Sequence, residues 1–332
     1  MLAFARRTTR KSGGAVTGAA KLARTLRPIT REDAVADFKK LMERAKSCGP
    51  FKQQERAGLK ALNSLFFKHR LRAPGKSGRT FPNTIKNASG KKYLEDKLVQ
   101  IKSSVKDESN TVGRLRQLYN VFQLYFGSVN QFRPTQALKV YCELAPKHGI
   151  LDFSSGWGGR CIAAMAAGIP YYGCDANTRM RKSYEDLIGI AREAGAEPVV
   201  RMTFQPSETV MDWRREIAGG AKYDLIFTSP PYFTLEKYEE MPEYAGREGF
   251  LKTFLEPVVE RAWAGLEPGG YMALNMPEFM YQAVRDLLPP LWGRRKLGIA
   301  ARHGKEAVRD RKITLKSGEK SFEWIYIWRK DI

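Results

Sequence analysis

Asp224-Leu225-Ile226-Phe227-Thr228-Ser229-Pro230-Pro231-Tyr232 is the stretch on which the reading of this 332-residue chain turns. The run from Leu225 to Thr228 has the short apolar character of a buried strand. Two successive prolines end it. Each fixes φ near about −65° and removes a backbone donor, and each pushes its predecessor out of helical space. The loop that results is stiff. It presents carbonyl oxygens, the Ser229 hydroxyl and the Tyr232 ring. Acceptors beside an aromatic surface suit a planar group that carries an amine.

Outward from this loop, short apolar runs recur at residues 149–153, 171–175, 198–204 and 270–276. Amphipathic stretches fill the gaps near 159–167, 178–194, 208–218, 248–265 and 277–287. Strands alternating with helices predict an α/β fold with a doubly wound, mainly parallel sheet. Residues 297–301 and 322–328 predict a closing antiparallel hairpin around the basic loop 302–320. The expected result is a seven-stranded Rossmann-like sheet over residues 131–332.

Ahead of it, Phe38, Leu41 and Met42, then Leu59, Leu62, Leu65 and Phe66, recur at helical spacing. Helical periodicity returns near 93–126, and the Gly-, Pro- and Lys-rich stretch 73–92 reads as loop. Residues 31–130 are therefore expected to form a basic helical region. Residues 1–30 hold no acid and read as a flexible basic tail; an organelle transit peptide is the other reading.

The formal net charge is +22, and it is unevenly spread. Residues 1–130 hold 28 Lys and Arg against 9 Asp and Glu, residues 131–293 hold 17 against 21, and residues 294–320 hold 10 against 3. Basic flanks around a slightly acidic middle imply a polyanionic partner, a nucleic acid, with DNA expected. No apolar run is long enough to suggest a membrane span. The four cysteines show no metal-ligand spacing and read as reduced thiols of a soluble intracellular protein. With three histidines, no metal site is expected.

Ser154-Ser155-Gly156-Trp157-Gly158-Gly159-Arg160 follows the first expected strand and opens a helix. Glycines there allow a tight turn and close approach of a ligand. Asp175, at the end of the second strand, can accept hydrogen bonds from ribose hydroxyls. A dinucleotide fingerprint would need a third glycine where Cys161 stands. An adenosine-containing cofactor without a pyrophosphate fits better, and S-adenosyl-L-methionine is the expectation.

With these motifs in place, the chain resembles the amino-methyltransferase family, which methylates N6 of adenine or N4 of cytosine. Ser229-Pro230-Pro231-Tyr232 matches the family's catalytic loop. Asp152, Gly156 and Gly158 match its cofactor loop, and Phe132-Arg133-Pro134-Thr135-Gln136 resembles the segment that touches the methionine end of the cofactor. The resemblance covers about residues 131–330 and implies cofactor contacts by Phe132, Arg133, Thr135, Asp152, Ser154, Gly156, Trp157, Gly158 and Asp175. Two positions depart from the pattern: Ser154 replaces an aromatic residue, and Trp157 fills a usually small position. The family's target-recognition insertions are also missing.

The chemistry implied is direct in-line methyl transfer to the exocyclic amine of a flipped base. Ser229 and the Ser229 and Pro230 carbonyls would accept the amine's hydrogens. Tyr232, then Phe233, would stack on the base, and Tyr238 and Tyr244 would gate the pocket. The chain contains no Pro-Cys pair, which argues against cysteine-dependent carbon-5 chemistry. Loops of this kind also serve RNA and protein amides, so an RNA methyltransferase is a second reading. A catalytically silent nucleic-acid-binding protein is a third.

Overall fold

The structure is a computed structural model of the chain. It describes residues 13–52, 55–74, 77–101, 111–127, 131–233, 242–296, 313–314, 320–321 and 324–332. The chain falls into two compact units: Met1–Pro28 with Phe67–Ser128, and Ile29–Phe66 with Val129–Ile332. This division differs from the boundaries expected at residues 30 and 130. Residues 29–66 belong with the sheet.

Among the described residues, seven helices precede the first strand: α1 (Gly13–Leu26), α2 (Arg31–Ser47), α3 (Leu59–Arg70), α4 (Phe81–Lys86), α5 (Ala88–Ile101), α6 (Thr111–Phe126) and α7 (Pro134–Leu144). There follow β1 (Ile150–Asp152), α8 (Gly159–Ala166), β2 (Tyr171–Cys174), α9 (Arg181–Glu193), β3 (Val200–Thr203) and β4 (Leu225–Thr228). The remainder is α10 (Gly246–Phe250), α11 (Glu256–Gly265), β5 (Tyr271–Met276), α12 (Glu278–Val284), β6 (Gly293–Lys296), β7 (Ile313–Thr314), β8 (Lys320–Ser321) and β9 (Trp324–Arg329). No helix of the described residues is long and apolar enough to cross a membrane.

In the first unit, Phe67, Leu71, Phe81, Leu94, Leu98, Leu118 and Phe122 form the core, joined by Ala23 and Leu26 of α1. Residues 1–30 are thus not wholly a flexible tail. Ala19, Ala23 and Leu26 recur at i, i+4 and i+7 and bury one stripe of a helix. The expected loop 73–92 also contains a helix. Thr80 caps α4 by accepting from the Asn83 N–H, and Pro82 stands in its first turn, where a missing N–H costs nothing.

In the second unit, a capping box between Thr30 and Asp33 starts α2. The Asp37 carboxylate accepts the Lys60 and Ala61 N–H groups at 2.6 and 3.2 Å and so caps the first turn of α3. Cys48, at the end of α2, is disulfide-bonded to Cys142 of α7, with Cα atoms 5.7 Å apart. The expectation of four reduced thiols is corrected here: only Cys161 and Cys174 are free, and both are buried.

The strand order is β3-β2-β1-β4-β5-β9-β6. The first five strands are parallel, with Ile150 beside both Tyr171 and Leu225, and Leu225 beside Tyr271. β9 then runs antiparallel between β5 and β6. This is the doubly wound, seven-stranded, Rossmann-like sheet expected from the sequence. Asp224 fixes the entrance to β1, since its carboxylate accepts the N–H groups of Lys147, His148 and Gly149 at 2.7–3.1 Å.

Two elements differ from expectation. The outer strand of the closing hairpin is Gly293–Lys296, earlier than the expected 297–301, which lie outside the described residues. An edge strand tolerates the charges Arg294, Arg295 and Lys296, so it lacks an apolar signature. The helix expected over 208–218 is only a 3-10 turn at Ser207–Thr209 and a wide turn at Trp213–Ile217 that buries Trp213 and Ile217.

Candidate functional site

The chain leaves β1 for β2 and β3 on one side and returns to β4 and β5 on the other. That reversal opens a crevice between β1 and β4 at the carboxyl ends of the strands, the usual ligand position in such sheets. The turn after β1, Asp175 after β2 and the Ser-Pro-Pro-Tyr loop after β4 all lie along this edge.

Asp152 ends β1 and is fully buried. Its carboxylate receives Arg160 Nε at 2.6 Å, Arg160 Nη2 at 3.2 Å, the Tyr171 hydroxyl at 2.5 Å and the Ser154 N–H at 3.2 Å. Arg160 Nη2 also donates to the Ser154 carbonyl at 2.5 Å. Burial opposes the Arg160 charge, but the Asp152 carboxylate outweighs it and raises the guanidinium pKa. Burial, reinforced by the Asp152 charge, likewise drives the Tyr171 phenol well above its ordinary value. So engaged, Asp152 shapes the turn from inside the protein.

Asp175 plays the outer part. Its half-buried carboxylate accepts the Gly156 N–H at 2.7 Å and the Asn177 N–H at 2.9 Å. Tyr184 of α9 donates to the Gly156 carbonyl at 2.8 Å. Gly156 and Gly158 have φ of +57° and +74°, a region that favours glycine, and Gly158 caps α8. Ser154 lends its backbone to the Asp152 and Arg160 bonds. The Trp157 carbonyl accepts from Gln131 Nε2 at 3.4 Å.

The segment before α7 does approach this turn. The Phe132 carbonyl lies so close to Gly159 that a Cβ there would overlap it. The Phe132 ring meets Phe227 of β4 edge-on at 5.5 Å and lies 5.2 Å below the Arg160 guanidinium. Arg133 stands at the N-terminal boundary of α7, and burial, with Arg56 nearby, lowers its pKa. Thr135 is buried and donates to the Glu55 carbonyl at 3.4 Å, so its hydroxyl faces the protein.

After β4, Pro230 is buried while Ser229, Pro231 and Tyr232 are partly exposed. The Ser229 and Tyr232 hydroxyls lie 3.1 Å apart. Both are held by Asn275 of the neighbouring β5: its Nδ2 donates to Ser229 Oγ at 3.2 Å and to Tyr232 Oη at 2.5 Å, and its backbone carbonyl accepts from Tyr232 Oη at 3.2 Å. Phe233 takes a left-handed φ of +52° and packs 5.5 Å from Phe250. Tyr244 packs on the same ring at 5.2 Å. Tyr238 and most of the acidic loop lie outside the described residues.

Three residues of this constellation, Asn275, Arg160 and Tyr171, do not emerge from the sequence motifs. Asn275 did leave a signal. It is the single amide in the apolar run Tyr271-Met272-Ala273-Leu274-Asn275-Met276, and a buried polar residue needs a partner.

No family profile matches the chain, and no curated protein sequence matches it. Among solved structures it is similar to TrmN from Thermus thermophilus, at 16% identity and a TM-score of 0.37, over 72% of this chain and 78% of that one. It is also similar to a SAM-dependent methyltransferase from Agrobacterium tumefaciens, at 17% identity and 0.35, over 55% and 56%. A tRNA methyltransferase of M. jannaschii matches at 10% identity and 0.35, over 60% and 47%. At these scores the fold rests on the strand order and registers described above.

Proposed function

We propose that the chain is an S-adenosylmethionine-dependent methyltransferase acting on the exocyclic amine of a nucleic-acid base, N6 of adenine or N4 of cytosine. The observation that carries this reading is the clamp of Asn275 on Ser229 and Tyr232, at the same sheet edge as the Gly156 turn and Asp175. The donor set fits the cofactor. Asp175 is a half-buried carboxylate oriented by two backbone N–H groups, suited to a ribose diol, and the turn offers no cradle for a pyrophosphate. Phe132 stands beside the turn, where the methionine end would lie, and Arg133 follows it in the chain. When bound, the sulfonium supplies an activated methyl group.

The rest falls to this chain's own residues. Tyr232 gives its one proton to the Asn275 carbonyl, so the Ser229 hydroxyl donates to Tyr232 Oη and accepts from Asn275 Nδ2. Ser229 Oγ then keeps one lone pair for an N–H of the target amine. The Ser229 and Pro230 carbonyls serve the other. Acceptors fixed in this way favour a pyramidal nitrogen and stabilise the positive charge that develops on it. Holding both reactants in line contributes about 7–11 kcal/mol. Tyr232 gives the base a surface to stack on, while Asp152 and Arg160 are positioning residues beneath the cofactor turn.

RNA stands at least level with DNA as the substrate. Only 47 residues separate Asp175 from Tyr223, and they are used by α9, β3 and the two short turns, which leaves no insertion for reading a DNA groove. The test is methyl transfer from labelled cofactor to duplex DNA, single-stranded DNA and structured RNA, followed by nucleoside mass spectrometry. An N-methylated adenosine or cytidine nucleoside is expected. Cofactor binding without label in any nucleic acid would reject the reading.

A further inference from the structure

The first unit carries a cleft of its own. It lies between α4 and the start of α5, has a volume of about 480 Å³, and is walled in part by Arg79, Thr80, Asn83, Asn87, Ser89 and Tyr93. No acidic side chain of the described residues lines it. Its size lies within the range of roughly 300–1,000 Å³ common to small-ligand sites, enough for a nucleotide.

Three further observations define what the cleft fits. First, Tyr93 is 38% exposed and Tyr125 is 42% exposed, so both rings offer a free surface. They lie 6.1 Å apart with Phe126 5.6 Å from Tyr93, so the aromatic surface is buttressed from behind. Second, cations interleave with these rings. The Arg79 guanidinium lies 4.8 Å over Phe126, and Lys97 Nζ lies 5.7 Å from Tyr93 and 5.4 Å from Tyr125. Stacking on Phe126 restricts the exposed Arg79 side chain at the mouth of the cleft. Third, residues 1–28 and 67–128 hold 20 Lys and Arg against 4 Asp and Glu, a net of +16 of the chain's +22. Most of the chain's basic excess falls in this unit.

We propose that this cleft binds an unpaired nucleotide of the substrate strand, distinct from the base that is methylated. Tyr93 stacks on the base, the Asn83 amide meets the base edge, and Arg79 pairs with the adjoining phosphate. Stacking suits an unpaired base, because a paired base has no face to offer. The proposal rests on the nucleic-acid substrate of the preceding section and names the single-stranded element recognised there.

The test uses the full chain and fluorescence anisotropy with three short labelled oligonucleotides: single-stranded RNA, single-stranded DNA and a fully paired duplex. Tyr93→Ala is expected to weaken single-strand binding about 5- to 100-fold, and Tyr93→Phe to retain it. Arg79→Ala should lower the slope of log affinity against log salt by about one. Lys252→Ala, an exposed cation of the other unit, should leave binding within about twofold. Parent-like binding by both Tyr93→Ala and Arg79→Ala, or equal losses for Tyr93→Phe and Tyr93→Ala, would overturn the cleft while leaving the methyltransferase reading intact. A parent protein that binds no oligonucleotide would overturn both.

Discussion

The Asn275 amide on β5 donates to the Tyr232 hydroxyl at 2.5 Å, across the boundary between two neighbouring strands. The Ser-Pro-Pro-Tyr loop is therefore not rigid by virtue of its prolines alone. The prolines fix the backbone, and the amide fixes the two hydroxyls that the backbone carries.

Replacing Asn275 by Ala removes the amide donor from both hydroxyls and leaves Tyr232 held only by the backbone carbonyl of residue 275 and by Ser229. We expect kcat to fall about 100-fold, the size of effect seen when reacting groups lose alignment. Cofactor affinity, measured by calorimetry, should stay close to that of the parent. An equal loss of cofactor binding would mean that Asn275 supports the fold of the edge and not the geometry of the loop.

Tyr232 combines a ring and a hydroxyl, and two substitutions separate them. Tyr232→Phe removes the contacts with Ser229 and Asn275 but keeps a stacking surface, so turnover should fall about tenfold. Tyr232→Ala removes both and should cut turnover further, with cofactor binding largely unchanged. Single-turnover rates on a saturating substrate distinguish the two.

The Asp152–Arg160 pair is almost fully buried, with 0% and 4% of the two side chains exposed. Asp152→Asn strands a guanidinium in the interior, and denaturant unfolding should show a loss of about 3–5 kcal/mol. Replacing both partners by apolar residues should cost less than the single change.

The Cys48–Cys142 disulfide closes a loop of sequence separation 94. Reduction should lower unfolding stability by about 2–4 kcal/mol. A Cys48→Ser/Cys142→Ser variant should start from the lower value and not respond to dithiothreitol.

Glu267 supplies a pH signature. Its hydrogen bond with Lys222 lowers its pKa, and the Lys222 and Arg214 charges add to the effect. A carboxylate with a depressed folded pKa stabilises the protein above its unfolded value and loses that contribution as pH falls. Stability should therefore drop as pH descends from the ordinary value of 4.5. Glu267→Gln should flatten that limb of the profile, measured by thermal unfolding across the acid range.

The parallel core was legible because β1, β2, β4 and β5 are short apolar runs punctuated by Gly, Pro or Asp. The hairpin's outer strand was not, since Arg294, Arg295 and Lys296 are at home only on an edge. α1 hid behind its basic residues, although Ala19, Ala23 and Leu26 carried the helical period. The turn after β1 was legible as a turn, but Asp152 could not be seen to face inward. Its partner Arg160 folds back over eight residues and Tyr171 arrives from the next strand. The disulfide joins cysteines with no motif between them.

The sheet's two rims have a consequence for the company the protein keeps. β3 at one edge carries Arg201, and β6 at the other carries Arg294, Arg295 and Lys296. Edge-to-edge pairing of two copies would bring like charges face to face across the new ladder. At high local concentration two copies would stay separate, because the charge on both rims keeps their sheets from zipping together.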